Sequence, residues 1–343
     1  MQLLCLSHHH VLAAQGRPCP VEKLSAKGGG GRMRQQIANI VIVASLLLSP
    51  GTAFSANGPD EPELESPVDE DIESIIVSGQ RPEFLRQLMQ DFIVEIGDPT
   101  SRSRGYARWQ HRLCVGIYNL PDQTTAQFIA DTISLIALET GLQTGSPGCK
   151  PNLQIVFSPD ARELASTMVE DSPRMFRPFG GAGETTQGIA ALEQFKTSEA
   201  PVRWWQITMA VDETGLPAID LPGVDAPLMR GVASRLTSTI SDEIWGNLII
   251  VDAGKVANVT WPQLADYLAM VSLAQVDPNA LPSGSDSILN LFRADTPPSG
   301  MRDIDRTYLR ALYEMDAMLL PQVQRGTFPS RMVRVQRKME DEE

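Results

Sequence analysis

Residues 265–275 read Ala-Asp-Tyr-Leu-Ala-Met-Val-Ser-Leu-Ala-Gln, and an almost continuous apolar run over 244–251 comes shortly before them. Apolar residues of the first stretch recur at helical spacing, so we predict a helix over 261–276 that begins after Thr260, a typical capping residue. The run over 244–251 has the length and composition of a buried strand. The two stretches together predict a sheet with a helix packed on it.

The chain on either side of this unit alternates between strand and helix patterns. Apolar runs predict strands over 112–118, 153–157, 202–210 and 234–240, the last paired with 244–251. Helical periodicity predicts helices over 84–96, 124–141, 161–169 and 303–315. We therefore expect an α+β or α/β fold, with one domain over 81–320 in which helices cover a mixed sheet. A basic and acidic tail over 321–343 is expected to follow it.

The N-terminal residues have the composition of processed or unfolded chain. Residues 33–55 combine flanking arginines, an apolar run over 37–48 and small residues at a cleavage site, which is typical of a secretory signal peptide. An uncleaved membrane anchor is the alternative, although a span needs about 20 apolar residues. We interpret residues 1–32 as a mis-called extension and residues 56–80 as an acidic, disordered linker. The protein is therefore expected in the periplasm or outside the cell, with membrane contact only through an uncleaved signal segment.

Two cysteines lie outside residues 1–55. Cys114 is in a predicted strand, and Cys149 comes just before the next one. In an exported protein such a pair predicts one disulfide, and two free thiols are the alternative.

Composition removes several classes of function. The formal net charge of −13 argues against a nucleic-acid partner. His111 is the only histidine outside residues 1–55, and its polar, charged neighbourhood suggests a surface or packing residue rather than a member of a Ser-His-Asp or Cys-His site. Carboxylate chemistry stays open, because the chain has 42 acidic residues.

The stretch 265–275 resembles the active-site helix of zincins, in which His-Glu-x-x-His places two zinc ligands on one helix face and a third ligand follows six residues later. In this frame the ligand positions hold Ala265, Ala269 and Gln275, and the general-base position holds Asp266. Residues 286–290 are similar to the Ser-Ile-Met-Asn turn under a zincin site, and residues 303–313 to the family's closing helix. The resemblance implies a zincin-like domain without a zinc cofactor, since alanine has no lone pair to offer a metal.

Two further resemblances concern the rest of the chain. Residues 107–114, 148–152 and 264–278 are similar to segments of a group of exported alphaproteobacterial proteins, a likeness that extends over about 75–335 and implies no activity. Residues 72–81, Ile-Glu-Ser-Ile-Ile-Val-Ser-Gly-Gln-Arg, resemble the Ile-Val-Val-Thr-Gly-x-Arg segment near the mature N-terminus of TonB-dependent outer-membrane receptors. Such a peptide pairs with a partner's sheet edge, and an edge strand of this protein is the plainer interpretation.

Three functional hypotheses follow. The first is an exported, non-catalytic binding or envelope-associated protein with a degenerate metalloprotease-like fold and an unidentified envelope partner. The second is a hydrolase that uses carboxylates such as Asp252, Asp266 or Asp286 in the former zinc cleft. The third is a receptor-coupled partner, whose contact strand consists of Ile75, Ile76, Val77, Gly79 and Arg81.

Overall fold

The computed structural model describes residues 82–97, 105–176, 188–217 and 234–342. The signal peptide, the acidic linker and the contact strand Ile75–Arg81 lie outside the described residues. All described residues belong to one compact unit, Glu70–Glu343. Within the described ranges, each helix is too short or too polar to cross a membrane.

The centre of the fold is a mixed four-stranded sheet. Its strands are β1 (Val115–Tyr118), β2 (Leu153–Ser158), β3 (Val202–Val211) and β4 (Ser241–Asp252). They lie in the order β1-β2-β4-β3, where β1, β2 and β4 run parallel and β3 pairs with β4 in the antiparallel direction. The predicted combination of a mixed sheet and helices is confirmed.

The strand predicted over 234–240 is wrong. Strand β4 pairs with β2 and β3 instead, and within 234–240 only Thr237 makes an isolated bridge, to Leu319. Hydroxyl groups explain the difference, because the Ser234 side chain accepts the backbone N–H groups of Leu236 and Thr237. Serine and threonine side chains that bond to nearby backbone in this way favour turns over strands.

Helices cover both faces of the sheet. They are α1 (Pro82–Ile96), α2 (Gln123–Glu139), α3 (Ala161–Asp171), α4 (Gly188–Thr197), α5 (Trp261–Leu273), α6 (Asp303–Glu314) and α7 (Pro321–Glu342). Successive strand residues point to opposite faces, so Ile249 and Val251 enter the larger core, whereas Leu248 and Ile250 pack in the smaller one. The larger core contains residues of α1, α2, α5, α6 and α7; the smaller contains residues of α3 and α4.

The segment described from sequence as a tail forms helix α7. Phe328 and Met332 of this helix are fully buried, and α7 packs against α1 and α6. The ring of Phe328 lies 5.0 Å from that of Tyr308 and 4.8 Å from that of Tyr106, measured between centroids. The packed fold therefore continues past residue 320.

Candidate functional site

Helix α5 carries the frame that resembles a zincin site. Thr260 and Gln263 form a capping box at its start, as the capping residue predicts. Ala265 and Ala269 are fully buried, and helix α2 packs against α5. At these two positions the helix therefore presents methyl groups to packed protein.

The other two frame positions bind backbone. Gln275 is buried, and its Oε1 accepts the Ala107 N–H at 3.1 Å. Asp266 accepts the Met301 N–H through Oδ2 at 2.7 Å. Each polar side chain of the frame thus holds a neighbouring segment of the chain in place.

The carboxyl end of α5 is also bonded within the protein. A helix leaves its last four carbonyl groups without helical partners, and a buried end needs donors from elsewhere. Five side-chain donations reach these carbonyl groups. Trp109 Nε1 donates to Ser272 O at 2.8 Å and Tyr313 OH to Leu273 O at 2.9 Å. Gln206 Nε2 donates to Val271 O at 3.1 Å and to Ala274 O at 2.8 Å, and Asn247 Nδ2 donates to Val271 O at 3.3 Å. The amide oxygen of Gln206 has no partner among the described residues.

The candidate carboxylates have separate structural roles. Asp252 ends strand β4, where its Oδ1 accepts the Gly254 N–H at 3.2 Å and its Oδ2 lies 3.7 Å from Lys255 Nζ. Asp286 forms an ion pair with Arg302, with 2.6 Å between Oδ2 and Nη2. Within the described ranges, no group of three or more His, Cys, Asp or Glu side chains is placed to hold a metal ion.

Sequence reasoning missed the acid that organises the turn beneath α5. Asp305 is fully buried and accepts three hydrogen bonds, from Ser287 Oγ at 2.6 Å, Ile288 N at 2.8 Å and Arg302 N at 3.0 Å. Burial nevertheless raises the pKa of Asp305 to about 6. This residue fastens the turn at 287–290 to the start of helix α6.

An open cleft of about 390 Å³ lies at the amino ends of β2 and β4. We call it the His111 cleft. It is lined by His111, Lys150, Pro151, Asn152, Gln154, Glu243, Ile244, Trp245 and Gly246.

Glu243 is the centre of the His111 cleft. Its side chain is fully buried, and Oε1 accepts the backbone N–H groups of Gln110 at 3.2 Å and His111 at 2.9 Å and also contacts His111 Nδ1. Its Oε2 is buried and has no partner among the described residues. A carboxylate on Nδ1 fixes the orientation of the imidazole and leaves Nε2 as its second polar atom.

Two side chains give the cleft a mixed chemical character. The Trp245 ring lies edge-on to the His111 ring at 5.2 Å, and 41% of Trp245 is exposed. Lys150 is also exposed, and no carboxylate among the described residues lies within ion-pair distance of it. The cleft therefore offers a flat apolar surface next to an imidazole and an ammonium group.

The His111 cleft was not predicted from sequence, where His111 was interpreted as a surface or packing residue. Its ring is half exposed, which agrees with part of that interpretation, but it is held by a buried acid 132 residues away. One local signal was present: Asp242 and Glu243 come directly before the mostly apolar run over 244–251. A buried acid at a strand end needs a partner, and that partner is the only histidine outside residues 1–55.

The predicted disulfide between Cys114 and Cys149 is confirmed. Cys114 comes directly before β1, and Cys149 precedes β2, which is the parallel neighbour of β1. Asn152 strengthens the same junction, because its Oδ1 accepts the Cys114 N–H at 2.8 Å. The bridge therefore holds the segment 149–152, part of which is a wall of the His111 cleft.

The chain matches no family model, no curated protein and no solved structure. The zincin and alphaproteobacterial resemblances accordingly stay predictions.

Proposed function

We propose that this chain is an exported binding protein with a degenerate zincin-like fold, that it has no zinc hydrolase activity, and that its ligand site is the His111 cleft. The observation that carries the proposal is the pair formed by Glu243 and His111. Glu243 is a fully buried acid with one unpaired oxygen, and the histidine beside it is accessible and held in one orientation. Buried polar atoms are nearly always paired, so an unpaired one that lines a cleft favours a ligand or an ordered water there.

The packing of α5 supports the absence of zinc chemistry. Zinc takes thiolate, imidazole or carboxylate ligands, and catalysis needs an open coordination position. Ala265 and Ala269 offer neither a ligand atom nor a free surface, and the Gln275 amide oxygen already accepts a backbone N–H.

The lining of the His111 cleft supports a ligand class. Trp245 favours a flat apolar face or ring, whereas His111 and Lys150 favour a hydrogen-bond acceptor. The disulfide supports export, because such bonds persist in oxidising compartments.

The first experiment tests the loss of hydrolase chemistry on protein purified from expression of the full chain. We expect substoichiometric zinc by elemental mass spectrometry and no cleavage of a fluorogenic peptide library. Stoichiometric zinc that is removed by a chelator together with peptide cleavage would overturn this part of the proposal.

The second experiment tests the cleft. Benzoate, maltose and the tripeptide Gly-Phe-Gly serve as probes, because each has a flat face and hydrogen-bond acceptors. Their binding is measured by calorimetry. We expect at least one probe to bind saturably and to lose at least about tenfold in affinity, or about 1.4 kcal/mol, in Trp245→Ala. Trp261→Ala is the matched control, because Trp261 is 43% exposed and lies outside the cleft. Failure of all three probes to bind, or equal binding by Trp245→Ala, contradicts the site.

A further inference from the structure

A second open cleft, of about 360 Å³, also borders the segment 108–112. We call it the Arg108 cleft. Its polar lining comprises Arg108, Gln110, Arg112, Thr140, Gln143 and Tyr313, and no acidic residue of the described ranges lines it. Two arginines thus line one cleft of a chain whose formal net charge is −13.

Arg108 is a buried cation, and among the described residues no carboxylate lies within ion-pair distance of it, although Asp316 acts on it at longer range. The residue is 5% exposed, and its Nη1 donates to Leu312 O at 2.6 Å, in the last turn of helix α6. Its other guanidinium N–H groups have no partner among the described residues, and they are not fully buried. The cleft is therefore the route by which these groups reach a ligand or solvent.

The helix end satisfies only part of this cation. The carboxyl end of α6 supplies partial negative charge, which favours an arginine there. A guanidinium has five N–H donors, however, and the Leu312 carbonyl accepts one of them. Burial lowers the pKa of Arg108 to about 10, while the nearby Tyr313 and Asp316 partly offset this effect, so the guanidinium keeps its charge at neutral pH.

Arg112 supplies a second cationic group at the same cleft. It is exposed, and no carboxylate lies within ion-pair distance of it among the described residues. Its backbone carbonyl accepts Asn152 Nδ2, so the main chain is held while the side chain is available. Gln143 adds an exposed amide to the lining.

We propose that the Arg108 cleft binds a small oxyanion, a carboxylate or a phosphate group, through the guanidinium groups of Arg108 and Arg112. Arginine is suited to either anion because its planar fork donates two parallel hydrogen bonds. This site goes beyond the His111 cleft and uses none of the side chains that carry that proposal.

The test uses the full chain and two named probes, succinate and inorganic phosphate, measured by calorimetry against chloride at matched ionic strength. We expect saturable binding of at least one probe, with the preferred probe identifying the source of the oxyanion. In Arg112→Gln its affinity should fall at least about tenfold, because a bidentate, charge-assisted interaction with the anion is lost. Arg334→Gln is the matched control, since Arg334 is an exposed arginine of helix α7 outside the cleft.

Arg108 itself is tested by Arg108→Lys, which keeps the charge and a donor for Leu312 O but loses the fork. We expect an unchanged far-ultraviolet circular dichroism spectrum and at least about tenfold weaker binding. Binding no tighter than that of chloride, or equal affinity in wild type and Arg112→Gln, would overturn the proposal. Because Trp245→Ala should leave oxyanion binding unchanged, failure here is distinguishable from failure of the His111 cleft.

Discussion

Helix α5 and the segment 108–112 use polar groups in opposite ways. The carbonyl groups of residues 271–274 at the end of α5 accept hydrogen bonds inside the protein, and so do the side chains of Asp266 and Gln275. The segment 108–112 borders two open clefts, where Arg108 and the neighbouring acid Glu243 keep donors or acceptors without partners among the described residues. The helix that resembles a catalytic element therefore uses its polar groups to hold neighbouring segments, whereas those groups without partners lie at two clefts that the segment 108–112 borders.

Trp109 connects the two regions and gives the largest expected effect. It is almost fully buried, and its indole donates to Ser272 O at the end of α5. Trp109→Ala should lower the free energy of unfolding by about 3–5 kcal/mol, because it leaves a cavity and an unpaired carbonyl. Urea denaturation measures the loss. The exposed Trp261→Ala should lower the free energy of unfolding by no more than about 1 kcal/mol. Similar losses for both variants would argue against a stabilising role of Trp109 at the end of α5.

The disulfide stabilises the segment beside the His111 cleft rather than the end of helix α5. Cys114 and Cys149 close a loop of 35 residues, and such a loop contributes about 3–4 kcal/mol in the chain-entropy account. The Cys114→Ala/Cys149→Ala double variant should be less stable by that amount in urea. Mass spectrometry with and without reductant provides the check. Two free thiols in material purified from an oxidising compartment would refute the assignment.

Ala269 is a position at which a histidine can be introduced to test how tightly α5 is packed. The residue is fully buried, so Ala269→His must force an imidazole into packed protein, at a cost of about 1–3 kcal/mol. Ala190→His, at an exposed position of helix α4, is the control and should change stability by no more than about 0.5 kcal/mol. If Ala269→His were as stable as wild type, there would be room beside α5 for a side chain at this position of the zincin-like frame.

The local sequence pattern was sufficient to predict helix α5, the strands β1 to β3 and the disulfide between the two cysteines. These features depend on residues within one element or on two strand starts that become neighbours. Pattern failed where the structure depends on distant partners. Helix α7 contains Pro329 and a mostly polar sequence, and it is stabilised by packing on α1 and α6.

The candidate site was missed for the same physical reason. Glu243 and His111 are 132 residues apart, and neither position has a local pattern that requires the other. In the sequence, Arg108 is likewise one charged residue in a polar stretch. Only the fold brings it to the end of α6, where it donates to Leu312 O. Residues whose role depends on long-range burial are the ones that sequence periodicity does not identify.

Asp305 gives the prediction with the sharpest pH signature. Burial raises its pKa to about 6, whereas an aspartate in an unfolded chain titrates near pH 3.9. Between these values the folded protein binds a proton that the unfolded chain does not bind. This proton adds to the free energy of unfolding. The contribution is present in full below about pH 4 and is lost as the pH rises through about 6. The loss is on the order of 3 kcal/mol, since the pKa differs by about two units and each unit corresponds to about 1.4 kcal/mol.

Asp305→Asn isolates this contribution, because an amide oxygen can still accept the N–H groups of Ile288 and Arg302 while the Ser287 hydroxyl rotates to accept from the amide. Urea denaturation of both proteins from pH 4 to 7 gives two curves, and their difference removes the titration of the other carboxylates. We expect the variant to lack the decline between pH 4 and 6. Parallel curves would mean that the buried acid is ionised throughout. The turn at 287–290 would then enclose an ionised carboxylate. A buried charge near α5 would weaken the contrast between this helix and the open clefts.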